Sequence, residues 1–201
     1  MNNDPAAELV PGRWHSRGYL PHFDSPEVIQ HVTFRLGDSL PGAVVGRLLA
    51  EIDGLDPEFR DVETHRRLEG LADAGHGACW LRREDCARIV EEALLHFDGE
   101  RYHLMAWVVM PNHVHALFQT LPGWATGLVV ASWKTFTSNA IGRLVGQAGE
   151  ALPQVWCPDY WDRYIRNDGH FVRALEYIHN NPVKAGLVRR PQDWRWSSAA
   201  R

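Results

Sequence analysis

The sequence predicts an α+β fold: an antiparallel sheet of the ferredoxin-like kind with helices on one face, plus a further C-terminal helix. Three observations lead there. Segments with apolar residues two apart interleave with segments whose apolar residues recur three and four apart, in the order strand, helices, strand, strand, helix, strand, helix. Two of the strands are joined only by Met110-Pro111-Asn112, which marks a hairpin. A chain of 201 residues that is 45% hydrophobic has the size and apolar content of one globular domain. Periodicity by itself leaves the strand order open.

Each element has a local reason. Residues 1–26 contain Pro5, Pro11, Pro21 and Pro26 and read as an irregular N-terminal arm, leaving residues 27–201 as a single domain. Val28 to Leu36 alternates, with Val32, Phe34 and Leu36 on one side, as a half-buried strand does. Helical patterns follow at Ala43 to Ile52 and Pro57 to Leu71, divided by Asp53-Gly54. A third, Arg83 to Phe97, aligns Cys86, Ile89, Val90, Ala93, Leu94 and Phe97 in one stripe and closes at Asp98-Gly99. Tyr102 to Met110 and His113 to Gln119 are the hairpin strands, and Leu121-Pro122-Gly123 interrupts before a long helix at Thr126 to Val145. Tyr160 to Ile165 reads as a short strand. Asp168 is placed as the N-cap of a last helix, which Pro182 ends at Asn181, because a residue before proline disfavours helical geometry.

Composition narrows the setting. No apolar run approaches the roughly 20 residues of a membrane span, and Met1 to Val10 lacks the basic start and apolar stretch of a secretory signal, so a cytoplasmic location is expected. Cys79, Cys86 and Cys157 are odd in number and lack C-x-x-C spacing, which points to free thiols. The net charge of −4 argues at first against a nucleic-acid partner. Its distribution argues the other way: residues 1–100 carry 10 Lys or Arg against 19 Asp or Glu, while residues 101–201 carry 11 against 6. The basic half fits a local phosphate-binding face on an acidic body.

That basic half also holds the residues with chemistry. His113-Val114-His115 opens the second hairpin strand, so both imidazoles face one side and Val114 faces the core. Tyr177 and Asn181 are four apart on the last helix, which presents a phenol and an amide together. Two neutral imidazoles and an amide oxygen leave open positions on a divalent ion for water and a phosphate oxygen. Such ligation suits Mg²⁺ or Mn²⁺ without excluding Zn²⁺. A zinc site drawing on the cysteines is a lesser alternative. Lys134, Arg163, Arg166, Arg173, Lys184, Arg189 and Arg190 are candidate phosphate contacts. Among Trp133, Trp156, Trp161, Trp194 and Trp196, one or two at most are expected to stack on a base. Tyr160 and Tyr164 share a strand face, and neither has an amide four residues on. They read as packing or DNA-contact residues.

Three blocks in order, Ala106 to His115, Trp156 to Arg166, and Tyr177 to Val188, resemble the REP-associated tyrosine transposases. These are single-tyrosine members of the HUH endonuclease superfamily, related to the transposases of single-strand insertion sequences. The likeness runs over roughly residues 13–199. It implies the same sheet-and-helix architecture, His113, His115 and Asn181 as ligands of Mg²⁺ or Mn²⁺, and Tyr177 as nucleophile. It further implies cleavage of single-stranded DNA at hairpin-bearing repeats through a 5′-phosphotyrosine intermediate, by a monomer rather than the swapped dimer of the insertion-sequence enzymes. Two other classes stay open: a domesticated protein that binds such repeats without cutting, and a small-molecule metalloenzyme built on the H-x-H.

Overall fold

The structure is a computed structural model that describes residues 13–16, 21–26, 28–40, 75–147 and 154–201, with individual residues between 42 and 73. Its strands are β1 (Arg13–Ser16), β2 (Pro21–Asp24), β3 (Ile29–Arg35), β4 (Tyr102–Val109), β5 (His113–Thr120) and β6 (Trp161–Tyr164). Its continuous helices are α1 (Glu84–His96), α2 (Thr126–Gln147) and α3 (Asp168–Lys184). β4, β5, β3 and β6 form, in that order, a four-stranded antiparallel sheet. The α+β architecture expected from the sequence is therefore present. The helical patterns at 43–52 and 57–71 lie largely outside the described residues. Within the described residues, no helix is long and apolar enough to cross a membrane.

The two sheet faces do different work. On one, Val32 and Phe34 of β3 and Val114, Ala116 and Phe118 of β5 pack against α1 and α2. Trp133 of α2 sits among Phe34, Tyr102 and Phe118 and donates its indole N–H to the Tyr102 hydroxyl at 2.9 Å, which in turn donates to the Leu94 carbonyl at 2.8 Å. The polar tips of these buried aromatics are thus satisfied. On the other face, Ala106, Val108, Met110 and Leu117 receive Ala174 and Ile178 of α3. A bulge between Leu104 and Ala106 makes this possible on β4. It shifts the alternation by one, so Tyr102 and Leu104 share a face with Trp107 and Val109 rather than with Ala106 and Val108.

Three local expectations need correction. Within the arm, Arg13–Ser16 pairs antiparallel with Pro21–Asp24 as a small hairpin, so those residues are not irregular. The N-cap of α3 is Asn167, not Asp168: its side-chain oxygen accepts from the His170 amide at 2.9 Å, and Asp168 begins the first turn. Nor does Pro182 end the helix. α3 continues to Lys184, with the Ala185 amide donating to the Asn181 carbonyl at 3.0 Å and the Leu187 amide to the Pro182 carbonyl at 2.9 Å. Proline removes one N–H and restricts the residue before it. The full burial of Asn181 against the sheet outweighs that local preference.

Candidate functional site

The site lies on the α3 face of the sheet, where strand pairing builds a row of polar side chains. Thr33 is the register partner of His115, and His31 that of Leu117, so His31 and Thr33 of β3 share the face of His113 and His115 of β5. On β6, Trp161 pairs with Thr33 and Arg163 with His31, which brings both to the same face. Side-chain alternation explains all of this: Val32, Phe34 and Val114 supply the opposite, apolar face.

His113 and His115 are buried, with ring centroids 4.8 Å apart. Each has its outer nitrogen engaged. The Asn112 amide donates through Nδ2 to the His76 carbonyl at 3.0 Å, which aims Oδ1 at His113 Nδ1, 2.8 Å away. An amide oxygen only accepts, so Nδ1 of His113 carries a proton, and Nε2 is the nitrogen left for a ligand. Nδ1 of His115 lies 2.8 Å from the Thr33 hydroxyl and 3.3 Å from His31 Nε2, while its Nε2 faces Asn181 Nδ2 at 3.3 Å. With Nε2 accepting from the amide, Nδ1 is the protonated nitrogen and donates to Thr33. These arrangements are how a metal-binding imidazole is held in orientation and tautomer.

From α3, the ring of Tyr177 stands edge-on to His115, centroids 5.3 Å apart and planes at 88°, and lies 5.9 Å from the His31 ring. The Lys184 ammonium sits over the ring of that phenol, 4.8 Å from its centroid. Asn181, one turn on from Tyr177, is fully buried, and its Oδ1 has no hydrogen-bond partner among the described residues. A buried amide oxygen left so costs free energy unless something else meets it. His113 Nε2 and that oxygen suit a divalent cation, and His115 Nε2 joins them when the cation replaces its 3.3 Å contact with the Asn181 amide. On the described residues, no group of three or more His, Cys, Asp or Glu forms a metal cluster. The thiols are turned elsewhere: Cys79 donates to the Gly75 carbonyl, Cys157 to the Leu36 carbonyl, and Cys86 lies in the core.

The candidate phosphate contacts divide. Arg163 of β6 lies beside the site, and Arg163, Arg166 and Arg173 gather around His170 at the start of α3. Burial and then these three guanidiniums hold the His170 pKa below its ordinary value. Lys184 is at the phenol, as described, and Arg189 is exposed beyond α3. Lys134 stands apart: it belongs to α2 on the far side of the sheet, and its ammonium donates to the Pro158 carbonyl at 2.7 Å. Its burial lowers its pKa. Arg190 is engaged with Asp193 at 2.6 Å. Among the tryptophans, Trp133, Trp156 and Trp196 are buried in the core and Trp194 donates to the Val109 carbonyl at 3.0 Å. Trp161 alone of the five shares the face of the histidines, edge-on to His31 with centroids 5.8 Å apart. Tyr160 packs against the opposite core and Tyr164 pairs with Gln30 on that face, so neither approaches the histidines.

Sequence reasoning missed His31, Thr33 and Asn112. The first two carried a signal. Once Val32 and Phe34 are assigned to the core, alternation sends His31 and Thr33 to the other face. The grip of Asn112 on His113 had none, because it depends on the remote His76 carbonyl.

The family model described as "Transposase IS200 like" matches residues 81–181. A REP-associated tyrosine transposase of Escherichia coli strain K12 is 31% identical over 116 residues, 55% of this chain and 63% of that protein. A second relative, from Haemophilus influenzae, is 29% identical over 104 residues, 48% of this chain and 58% of that protein. The matches thus span less than two thirds of either relative. Among solved structures, a REP-associated tyrosine transposase bound to a REP hairpin superposes with a TM-score of 0.55 at 17% identity, covering 90% of this chain and 82% of that one. At that identity the likeness is one of fold.

Proposed function

The chain belongs to the IS200-like transposase family, and on that premise we propose that it is a metal-dependent single-strand DNA endonuclease and strand transferase acting at hairpin-bearing repeats. One observation carries the reading: a single chain sets the Tyr177 phenol edge-on to His115, one helical turn from the buried, unsatisfied Oδ1 of Asn181. The hairpin partner is supported by the REP hairpin bound in the structural neighbour. A cytoplasmic site of action and residues 27–201 as the working domain complete the proposal.

In this reading His113, His115 and Asn181 hold Mg²⁺ or Mn²⁺, with Thr33 and Asn112 fixing the two imidazoles. The ion supplies electrostatic activation of the scissile phosphate and of the charge on its departing oxygen. Tyr177 supplies the nucleophile. A free phenol has a pKa of about 10, so roughly one in a thousand is ionised at pH 7, a deficit of about 4 kcal/mol. Its oxygen bonds to phosphorus as the phosphorus bond to the 3′ oxygen breaks. The phenol loses a proton and the departing oxygen gains one, leaving a 5′-phosphotyrosine and a free 3′-hydroxyl. Bond energy is kept in the covalent ester, which allows rejoining to another strand. Lys184 places positive charge beside the phenol, and Arg163, Arg166 and Arg173 supply further phosphate contacts along the strand's approach. Action as a monomer is part of the proposal, supported by Tyr177, His113, His115 and Asn181 meeting within one chain.

The test is a labelled single-stranded hairpin oligonucleotide incubated with the protein and Mn²⁺, with and without chelator, and resolved under denaturing conditions. A protein-linked band that chelator removes is expected. Tight binding with no linked band and no cut would make the protein a binder only.

A further inference from the structure

We infer that Asp73 is a further ligand of the divalent ion, giving the site one carboxylate in addition to two imidazoles and an amide. This rests on the metal-dependent reading above. It goes beyond that reading because Asp73 lies upstream of residues 81–181, the span matched by the family model.

The starting point is the proton on His113. Asn112 holds it on Nδ1, which leaves Nε2 as the nitrogen turned toward the site. Nε2 faces Oδ1 of Asp73 at 3.6 Å. A carboxylate oxygen and an imidazole nitrogen are both metal-ligating atoms, and a cation held between them meets both. The separation is longer than a hydrogen bond and of the order of the distance between neighbouring ligands on one ion, each about 2.0–2.2 Å from it.

The chain is built to hold Asp73 there. Residues 76–81, a few positions on, are pinned at two points to the turn that precedes the H-x-H. The His76 carbonyl takes the Asn112 amide, and the Leu81 amide donates to the Pro111 carbonyl at 3.1 Å. The Ala78 amide donates to the Asp38 carboxylate at 2.7 Å. Gly77, at φ 86°, passes so close to Asp38 that an added Cβ would lie 2.6 Å from its carbonyl oxygen. The same clamp that sets the tautomer of His113 therefore delivers the carboxylate to it.

An anionic ligand also sets the preference among cations. Two imidazoles and an amide make a neutral set that admits Mg²⁺ and Mn²⁺ without excluding Zn²⁺. Adding a carboxylate shifts preference toward hard, oxygen-seeking Mg²⁺ and Mn²⁺. It also brings one negative charge to an otherwise uncharged set of ligands.

The experiment is Mn²⁺ titration of the full chain without DNA, followed by electron paramagnetic resonance, for the wild type, Asp73→Asn and His115→Ala. The expected result is one site in the wild type, weakened by about tenfold or more in Asp73→Asn, as loss of even an indirect partner of a metal ligand commonly does, and abolished in His115→Ala. Wild-type binding unchanged by Asp73→Asn overturns the inference and leaves the metal-dependent reading intact. Absence of binding in the wild type overturns both. Should Asp73→Asn melt early in chelator, a crystal of the wild type grown with Mn²⁺ decides directly. The Asp73 carboxylate is bonded to the ion there, or the inference fails.

Discussion

The Tyr177 ring meets the His115 imidazole edge-on, with planes at 88° and centroids 5.3 Å apart. This contact joins the C-terminal helix to the second hairpin strand at the point where the two halves of the proposed chemistry must meet. Because the contact is made by the ring and not by the hydroxyl, it separates packing from reactivity.

Tyr177→Phe should therefore keep the ring contact and the fold while removing the attacking oxygen. Covalent capture of a hairpin oligonucleotide is expected to fall below detection, with hairpin affinity changed by no more than about threefold. Filter binding and a denaturing gel on the same preparation check both halves.

Thr33→Val and Asn112→Ala should each weaken divalent-ion binding without touching a ligand. Thr33→Val keeps the side-chain volume and removes the acceptor at His115 Nδ1, and Asn112→Ala releases His113 Nδ1. Losses of about 10- to 100-fold in Mn²⁺ affinity are expected, read by calorimetry.

Much of this site was readable in the chain. The H-x-H on a strand and the tyrosine and asparagine one helical turn apart are local patterns, and local geometry suffices to place each pair. Their meeting is not local. It requires α3 to cross the face of the sheet opposite α1 and α2, which the bulge after Leu104 permits by turning Ala106 and Val108 toward Ala174 and Ile178. Helix 3 also passes through Pro182, where local preference predicts an end. Lys134 shows the converse: a basic residue in the basic half, it is sent by the packing of α2 to the far side, to the Pro158 carbonyl.

Ile178 fixes α3 to the sheet, fully buried one residue from Tyr177. Ile178→Ala is expected to cost about 2–5 kcal/mol of stability in urea denaturation, and to reduce adduct formation at temperatures where the protein is still folded.

Arg163→Ala and Arg173→Ala should lower hairpin affinity and each reduce the slope of log affinity against log salt by about 1. Lys134→Ala should leave that slope unchanged, since the ammonium is already bound to a backbone carbonyl. Titrations at several salt concentrations distinguish the two.

His170 gives a pH signature. Burial and the Arg163, Arg173 and Arg166 guanidiniums lower its folded pKa from 6.5, so across the interval below 6.5 the folded chain binds fewer protons than the unfolded one. Stability contributed at this position is present above that interval, falls as pH drops through it, and levels off below the folded value. The melting temperature of the wild type relative to His170→Gln should fall as pH drops below 6.5, and a difference independent of pH would count against this.

The most direct measurement is identification of the residue that carries the DNA. Protein trapped on a single-stranded hairpin oligonucleotide with Mn²⁺ is digested, and the nucleotide-bearing peptide is sequenced by mass spectrometry. The account predicts a phosphotyrosine at Tyr177. A modified Tyr160 or Tyr164, or cleaved DNA with no residue modified, contradicts it.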